Sequence, residues 1–334
     1  MKKIFFCAII AFLPITLCAT DTEDEQAYQK ALQYEKQGNI IEAMKWYKKA
    51  ATKSLHVKED SSKNEPLLRF GKNSIKKYKN ESTSESVEKI IFGNFDIKPY
   101  KANFILPYTY DFDKKEGRKQ RETIFQLSFK KPLAKNILGL QDTLYLGYTQ
   151  TSWWQTFETS LPFRETNYRP EIFFEIPYLN EYSPLKAYKI GLLHESNGRG
   201  GEDSRSWNRA YIQGLFQYMG VFISPRVWYR FHEWDKKDID DANGDDNPYM
   251  YDYLGYGDLR ISVPYRKTFL DVLLRNNLKF NGQNKGAVQV NWTFPLPWIE
   301  DMYGFLYYFN GYGESLIDYN RKTQKLGIGF SITR

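Results

Sequence analysis

From about residue 96 to the C-terminus, apolar and polar side chains alternate along the chain. The stretches AVQVNWTF at 287–294 and LGIGFSI at 326–332 each bring their large apolar residues to one face of an extended chain. Because successive side chains of a β-strand point to opposite faces, this period of two predicts strands with one apolar and one polar face. The pattern gives about twelve candidate strands, roughly 100–113, 120–130, 142–153, 166–178, 186–196, 205–216, 220–231, 250–263, 268–280, 286–294, 303–311 and 323–332.

Alternation alone fits two all-β folds, a soluble sandwich with an apolar core and a barrel whose apolar face meets lipid. Several segments run to about ten residues, which is enough for a tilted strand to cross a bilayer. Aromatic residues make up 17% of the chain and cluster near the segment ends, as in membrane barrels. An even number of strands places both ends of the barrel on the periplasmic side, and closure removes the unpaired edges that lipid would not tolerate. The sequence therefore predicts a 12-stranded antiparallel transmembrane β-barrel over 96–334.

The N-terminus has the pattern of an export signal. Lys2 and Lys3 precede an almost unbroken apolar run that ends at Cys18, which predicts a signal peptide over 1–19. The run is too short and wrongly flanked for a membrane-spanning helix. Lipid attachment at Cys18 is the alternative for this segment, although Leu17 is larger than the residue such sites prefer.

Two further segments precede the barrel region. Residues 20–55 have the Ala, Tyr and Gly spacing of a single α-helical unit of the tetratricopeptide or Sel1-like kind. One unit cannot bury its own apolar face, so the segment is either a short hairpin without separate function or a handle for a periplasmic partner. Residues 56–95, rich in Lys, Ser, Glu and Asn, predict a linker.

Composition excludes several classes of function. The two cysteines, Cys7 and Cys18, both lie in the leader, so the mature chain has no thiol for a disulfide, a metal site or a nucleophile. Three histidines are too few to favour an all-histidine metal site. The net charge of +7 comes from interspersed acids and bases rather than a basic run, which argues against nucleic acid as a partner.

A candidate catalytic pair ends the apolar face of segment 188–196. Positions 188, 190 and 192 are apolar, and His194 and Ser196 follow on the same face. A serine hydroxyl and an imidazole two apart on one strand can come within reach, as activation of a weak nucleophile requires. If 197–204 is a hairpin loop, Asn208 lies across from His194 and can orient its ring.

The loop 197–204 is predicted outside the membrane and carries groups suited to the rest of a hydrolase site. Gly198 leaves its backbone amide open to a developing oxyanion. Hard oxygen donors of the kind that Ca²⁺ binds follow at the Arg199 carbonyl, Glu202, Asp203 and the Ser204 hydroxyl. His-x-Ser alone is also explained by a polar strand end, and the Gly-x-Ser-x-Gly pattern of soluble lipases is absent.

The longer string HESNGRGGEDSRSWNR at 194–209 resembles the active-site stretch of the outer membrane phospholipase A family. Four more strings resemble family segments in the same order: YTQTSWWQ (148–155), PFRETNYRPE (162–171), DDNPYMYDYLGYG (245–257) and GYGESLIDYN (311–320). The resemblance covers about 96–334. It implies an outer-membrane barrel that hydrolyses acyl esters of phospholipids and lysophospholipids with A1/A2 specificity, needs Ca²⁺ and is active as a homodimer.

The resemblance also implies roles for single residues. Ser196 corresponds to the nucleophile, His194 to the base and Asn208 to the residue that orients the base. The Gly198 amide corresponds to the oxyanion hole.

Calcium and dimer positions follow from the same resemblance. The Arg199 carbonyl and the Ser204 hydroxyl correspond to calcium ligands, and Ser160 is the best counterpart of a serine that the partner chain adds to the site. Asp246 matches an acidic residue of a second calcium site in the monomer. Gln150 matches a glutamine at the dimer interface.

Two features depart from the family pattern. Position 195 is Glu where the family often has Gln, and the acids Glu202 and Asp203 are displaced within their loop. Two other functional classes stay open, a non-enzymatic barrel (a narrow porin or an adhesin) and a soluble exported lipase. The bulky inward positions Arg275, Asn277 and Lys279 argue against free conduction.

Overall fold

The computed structural model describes residues 23–37, 39, 42–46, 96–113, 119–160, 162–180, 182–238, 241, 244–245, 247–280, 282–297, 299 and 301–334. The chain divides into two units, Met1–Asn94 and Phe95–Arg334. The predicted signal peptide and the predicted linker lie outside the described residues, as does Asp246.

The described part of the N-terminal unit is helical. Helix α1 spans Glu23–Lys36, and residues 42–46 form a second short helix. Asn39 begins the second helix, because its Oδ1 accepts a hydrogen bond from the Glu42 amide at 3.3 Å. Ala31 and Ala43 are buried. The predicted short N-terminal helices are thereby confirmed, whereas the tetratricopeptide or Sel1-like label stays a prediction. No helix among the described residues is both long and apolar enough to cross a membrane.

The second unit is one antiparallel sheet. Its strands are β1 (Lys98–Pro99), β2 (Phe104–Asp111), β3 (Arg121–Lys135), β4 (Thr143–Trp154), β5 (Phe163–Pro177), β6 (Leu185–Ser196), β7 (Ser206–Tyr218), β8 (Val221–Arg230), β9 (Gly257–Tyr265), β10 (Thr268–Asn276), β11 (Gly286–Pro295), β12 (Tyr303–Tyr312) and β13 (Lys322–Ser331). Each strand from β2 onward pairs with the next, and β13 pairs back with β2. The predicted 12-stranded closed barrel is confirmed, with β1 as a short addition beside β3.

The apolar face of the strands is the outer surface. Leu326, Ile328 and Phe330 of β13 are exposed, and the residues between them face inward. On the same strand Lys325 is fully buried, and its Nζ donates to Glu122 Oε2 at 3.1 Å and Glu314 Oε2 at 2.7 Å. An apolar outside and a paired, polar inside are the arrangement that lipid requires of a barrel.

The lumen is largely filled. One buried cluster joins strand and loop residues: Phe173, Leu193, Trp207, Tyr211, Trp228, Met250, Leu254, Leu316 and Tyr319. A second contains Leu106, Ile124, Trp153, Phe305, Tyr307 and Phe309. A cavity of about 390 Å³ remains, with Arg169, Arg209 and Arg275 in its lining.

Four of the predicted strands miss the observed bounds by four residues or more. The strand predicted at 100–113 begins only at Phe104, and the one predicted at 120–130 extends to Lys135. The strand predicted at 250–263 begins only at Gly257, because Tyr251–Leu254 forms a helical turn, α2. Met250, just before α2, and Leu254, the last residue of α2, are both buried, and their spacing of four is helical. The strand predicted at 268–280 ends at Asn276. Asn276 Oδ1 accepts from the Leu278 amide at 2.7 Å, and Leu278 has a φ of 55° that no strand residue adopts.

Candidate active site

The hairpin of β6 and β7 brings His194 and Asn208 face to face. The two residues are directly opposed in the antiparallel register, fourteen positions apart in the chain. His194 Nδ1 lies 2.9 Å from Asn208 Oδ1, which is hydrogen-bonding distance. The asparagine therefore contacts the ring nitrogen that points away from a nucleophile in a triad of this kind.

Ser196 shares the outward face of β6 with His194. Ile190 and Leu192 precede His194 on that face. Their exposed fractions are 45% and 52%, so the face is the lipid side of the barrel. His194 and Ser196 are half-buried. Among the residues that the structure describes, none forms a hydrogen bond with the Ser196 hydroxyl. Catalytic hydrogen bonds are often long or absent before substrate binds, so the lack of this bond does not argue against the pair.

Glu195, the residue between His194 and Ser196, faces the lumen and makes several hydrogen bonds. Glu195 Oε1 accepts from Arg169 Nε at 2.6 Å, and its Oε2 accepts from Trp207 Nε1 at 3.0 Å and from Arg209. Arg209 in turn lies 3.5 Å above the Trp207 ring. The position at which the sequence departs from its family thus carries a buried carboxylate with three donors, which fixes β6 against β5 and β7.

Asn197, the first residue after β6, closes the loop that follows. Its Oδ1 accepts from the Arg199 and Arg205 amides at 3.3 and 3.0 Å. Its Nδ2 donates to the Asp203 carbonyl at 2.8 Å and to Glu165 Oε2 at 3.4 Å. Sequence reasoning gave this residue no role, and only its place in the quoted string marked it. These bonds use all of its amide atoms to set the shape of the loop.

Arg205 stabilises the C-terminal part of the same loop. Its Nη1 donates to the Glu202 and Ser204 carbonyls, both at 2.7 Å. Its guanidinium lies 6.0 Å from the centre of the Tyr319 ring. Burial raises the pKa of Tyr319, so the phenol stays neutral beside this cation.

The predicted oxyanion and calcium positions lie in this braced loop. Gly198 is exposed and has a φ of +66°, a conformation that favours glycine. Arg199 turns its side chain away, toward Glu165 and Asp203 at 3.4 Å each. No described residue donates a hydrogen bond to the Arg199 carbonyl, so its lone pairs are available.

The described residues contain no group of three or more His, Cys, Asp or Glu side chains that could hold a metal alone. Glu202 and Asp203 are exposed, and Asp203 is partly engaged by Arg199. The donors available in the loop are therefore carbonyl, hydroxyl and carboxylate oxygens, which suit Ca²⁺. Ca²⁺ takes about six to eight oxygens, so a site built on the Arg199 carbonyl and the Ser204 hydroxyl would need further donors from the acids, from water or from outside the loop.

The other predicted residues lie apart from the triad positions. Ser160 is exposed in the connection between β4 and β5, and within the described part of one chain no hydrogen bond links it to the 197–205 loop. Gln150 lies on the outward face of β4, where its Oε1 accepts from the Tyr148 hydroxyl at 2.9 Å. Its Nε2 donates to Ser152 Oγ at 3.2 Å. Gln150 is thus part of a polar row on a surface that is otherwise apolar.

Comparison with known proteins identifies close relatives. The family model for phospholipase A1 matches residues 80–332. A putative phospholipase A1 of Neisseria meningitidis serogroup B is 38% identical over 222 residues, which is 64% of this chain and 54% of that protein. Phospholipase A1 of Escherichia coli K12 is 34% identical over 249 residues, covering 70% of this chain and 81% of the relative. The chain therefore spans about half the length of the Neisseria relative and most of the E. coli one.

Solved structures agree with this result. Outer membrane phospholipase A from E. coli superposes with a TM-score of 0.63 at 31% identity, covering 71% of this chain and 92% of the other. The same values hold for the calcium-bound dimer of the Salmonella typhi phospholipase and for an E. coli active-site mutant in which asparagine is replaced by alanine. The family-model match over residues 80–332 and the E. coli relative, of which the chain covers 81%, show that the chain belongs to the phospholipase A1 family of bacterial outer-membrane β-barrels.

Proposed function

We propose that this chain is a calcium-dependent outer-membrane phospholipase that hydrolyses acyl esters of phospholipids and lysophospholipids, with A1/A2 specificity. Ser196 is the nucleophile, His194 the base and Asn208 the residue that orients the base. The observation that carries the proposal is the 2.9 Å contact between His194 Nδ1 and Asn208 Oδ1, on the lipid side of a strand that also presents Ser196. The names of the E. coli and Neisseria relatives support the same activity.

The reaction follows the usual course for a serine esterase. His194 Nε2 takes the hydroxyl proton as Ser196 Oγ attacks the ester carbonyl, and the Gly198 amide donates to the oxyanion that forms. The tetrahedral intermediate collapses to an acyl-enzyme, and the proton passes from His194 to the departing alcohol oxygen. Water then attacks the acyl-enzyme with His194 again as base, releasing a fatty acid and restoring Ser196. The active-site asparagine of the E. coli relative supports the role given to Asn208.

The surface below the site suits an acyl chain. Ile190 and Leu192 are exposed on the same face and strand as Ser196. An acyl chain that lies along these side chains keeps its apolar contacts while its ester group reaches the polar end of the strand. The substrate can therefore react without leaving the membrane.

Calcium fits the donors of the 197–205 loop. The Arg199 carbonyl and the Ser204 hydroxyl would hold the ion, with Ser160 of a second copy as a further ligand. When bound, calcium polarises the ester carbonyl as a Lewis acid and stabilises the oxyanion. Asp246 is proposed for a second calcium site in the monomer. The calcium-bound dimer of the Salmonella relative supports the use of calcium.

Homodimerisation would complete the site, since the Arg199 carbonyl and the Ser204 hydroxyl alone leave calcium short of ligands. We place the dimer contact on the face that carries Gln150. The polar row of Tyr148, Gln150 and Ser152 gives this face hydrogen-bonding groups in lipid, where they have few other partners. Activity should then rise with protein concentration in detergent.

Fatty acid release from phospholipid in mixed micelles tests the proposal. Ser196→Ala should lower kcat by at least about 10³-fold without changing the folded barrel, because the residual rate comes only from binding and the oxyanion donors. Excess EDTA should abolish wild-type activity, and added Ca²⁺ should restore it. Ser183→Ala, in the turn between β5 and β6, serves as the matched control. Full activity of Ser196→Ala, or activity undiminished by EDTA, would contradict the mechanism.

Conductance measurements address the rival class of a non-enzymatic barrel. Two clusters of buried side chains fill much of the lumen, and Arg275 lines the cavity that remains, where it donates to the Tyr312 and Gly313 carbonyls at 2.5 and 3.1 Å. A lumen filled in this way predicts ion conductance near the baseline of a protein-free bilayer. A sizeable open conductance together with no fatty acid release would favour a porin.

A further inference from the structure

The side-chain amide of Asn208 has a second partner beyond His194. Its Nδ2 donates to Glu233 Oε1 at 2.8 Å, while its Oδ1 lies 2.9 Å from His194 Nδ1. Glu233 is half-buried in the connection between β8 and β9, three residues after β8 ends. Four side chains, Ser196, His194, Asn208 and Glu233, therefore follow one another on the same rim of the barrel.

The carboxylate determines which way the asparagine amide points. An ionised carboxylate only accepts hydrogen bonds, so the group that faces Glu233 must be the Asn208 NH₂. The Asn208 carbonyl oxygen is then left for the imidazole, which must donate from Nδ1. A neutral ring protonated on Nδ1 has its lone pair on Nε2, and this is the tautomer that can take a proton from serine.

Glu233 also supplies a charge that Asn208 lacks. During attack by the serine, His194 becomes a cation, and an asparagine is a weaker counterpart for that cation than a carboxylate would be. A negative charge on the NH₂ side of the amide polarises the group and strengthens its oxygen as an acceptor. Because the charge lies on Glu233 rather than on Asn208, it stays in the loop and away from lipid. A carboxylate in lipid would be costly.

The loop holds Glu233 in this position through several bonds. The Phe231 amide donates to the Asn208 carbonyl at 2.9 Å, which continues the β7–β8 ladder past the end of β8. The Arg230 amide donates to the Tyr251 hydroxyl at 2.7 Å, and Arg230 Nη2 donates to Asp245 Oδ1 at 2.5 Å. The Asp245 amide donates to the Trp234 carbonyl at 2.7 Å. Glu233 thus lies between two anchored neighbours.

We infer that Glu233 is a positioning residue for the hydrolase site. It is a fourth member that fixes the orientation of the Asn208 amide and places a negative charge beside Asn208. The inference rests on the proposed roles of Ser196, His194 and Asn208. Glu233 touches no reacting atom, so its effect should appear in the chemical step rather than in substrate binding.

Glu233→Gln tests the charge with little change in shape. We expect kcat to fall about tenfold and KM to stay within about twofold, because a charge-assisted hydrogen bond behind the base is replaced by a neutral one. Asp235→Asn removes the same charge two residues away, from an exposed side chain with no hydrogen bond in the described part of the chain, and should keep wild-type activity. Each variant should retain the heat-modifiable gel migration of a folded barrel.

An exchange of the two side-chain types separates positioning from mere structure. Asn208→Asp alone would set two carboxylates against each other, and we expect kcat to fall about 10²-fold. Combining Asn208→Asp with Glu233→Gln restores one donor and one acceptor in reversed order, and the carboxylate now faces His194. The double variant should be at least about tenfold faster than Asn208→Asp alone.

Two results would overturn the inference: wild-type kcat in Glu233→Gln, or a double variant no faster than Asn208→Asp alone. Failure of the underlying function would look different. In that case the wild-type protein would release no fatty acid, or Ser196→Ala would remain active. If Ser196→Ala is inactive and wild type is active, a negative result at Glu233 concerns Glu233 alone.

Discussion

Three consecutive residues of β6, His194, Glu195 and Ser196, point alternately to the lipid side and to the lumen. On the lipid side, the His194 side chain has a single hydrogen bond within the described chain and the Ser196 side chain has none. On the lumen side, Glu195 accepts from Arg169, Trp207 and Arg209. One strand thus carries sparsely bonded groups on one face and a densely bonded carboxylate on the other.

This difference separates two requirements of a site at a membrane surface. A reactive side chain must leave room for a substrate on one side. Polar side chains in lipid find few hydrogen-bonding partners, so the outer face carries few polar side chains. Precise placement must then come from elsewhere. The lumen provides it, since charged groups there are paired and shielded from both lipid and bulk water.

Removing the lumenal hydrogen bonds of Glu195 should have the largest effect on stability. Glu195→Ala leaves the half-buried Arg169 and the buried Arg209 without their shared carboxylate, and we expect a loss of about 3–5 kcal/mol in the free energy of unfolding. Urea unfolding in lipid vesicles, followed by tryptophan fluorescence, measures this loss. Glu158→Ala removes a half-buried partner of the exposed Lys119 and should cost less than about 1 kcal/mol. Equal losses in the two variants would contradict the distinction between the faces.

Changing the loop beside the outer face should damage activity more than stability. Gly198→Ala forces an alanine into a φ of +66° and brings its Cβ to 3.1 Å from Tyr168 Cε2. We expect about 1–2 kcal/mol of destabilisation and, because the proposed oxyanion donor shifts, about 10²-fold lower kcat. Gly220→Ala, at a φ of +80° in the opposite turn with nothing within 4 Å of the added Cβ, is the control for backbone strain. Similar kcat losses in both variants would argue against a role for Gly198 in the reaction.

The smallest effect should come from the outer surface away from the loop. Gln150→Leu removes one amide from the polar row on β4, and we expect about 0.6 kcal/mol weaker dimerisation, the typical size of a hydrogen bond within a membrane. Sedimentation equilibrium in detergent, with calcium present, measures the dissociation constant. Unchanged or tighter association would place the dimer contact on another face.

The sequence predicted the barrel and the lipid side of β6 because both depend on local alternation. It also predicted that Asn208 lies across from His194, since a short hairpin fixes that register. It failed where side chains from distant segments decide the structure. Glu233 reaches Asn208 from 25 residues away, and α2 forms because the tertiary structure buries Met250 and Leu254. No period in the chain encodes such contacts.

Under the proposed function, the outward direction of Ser196 also determines how a phospholipid reaches the site. Phospholipid approaches by lateral diffusion within a leaflet, so the encounter occurs in two dimensions. Under the proposed mechanism, turnover depends on the mole fraction of substrate among the surrounding lipids and not on its amount per volume of solution. Diluting the phospholipid with an inert amphiphile should therefore slow the reaction even when the total phospholipid stays constant.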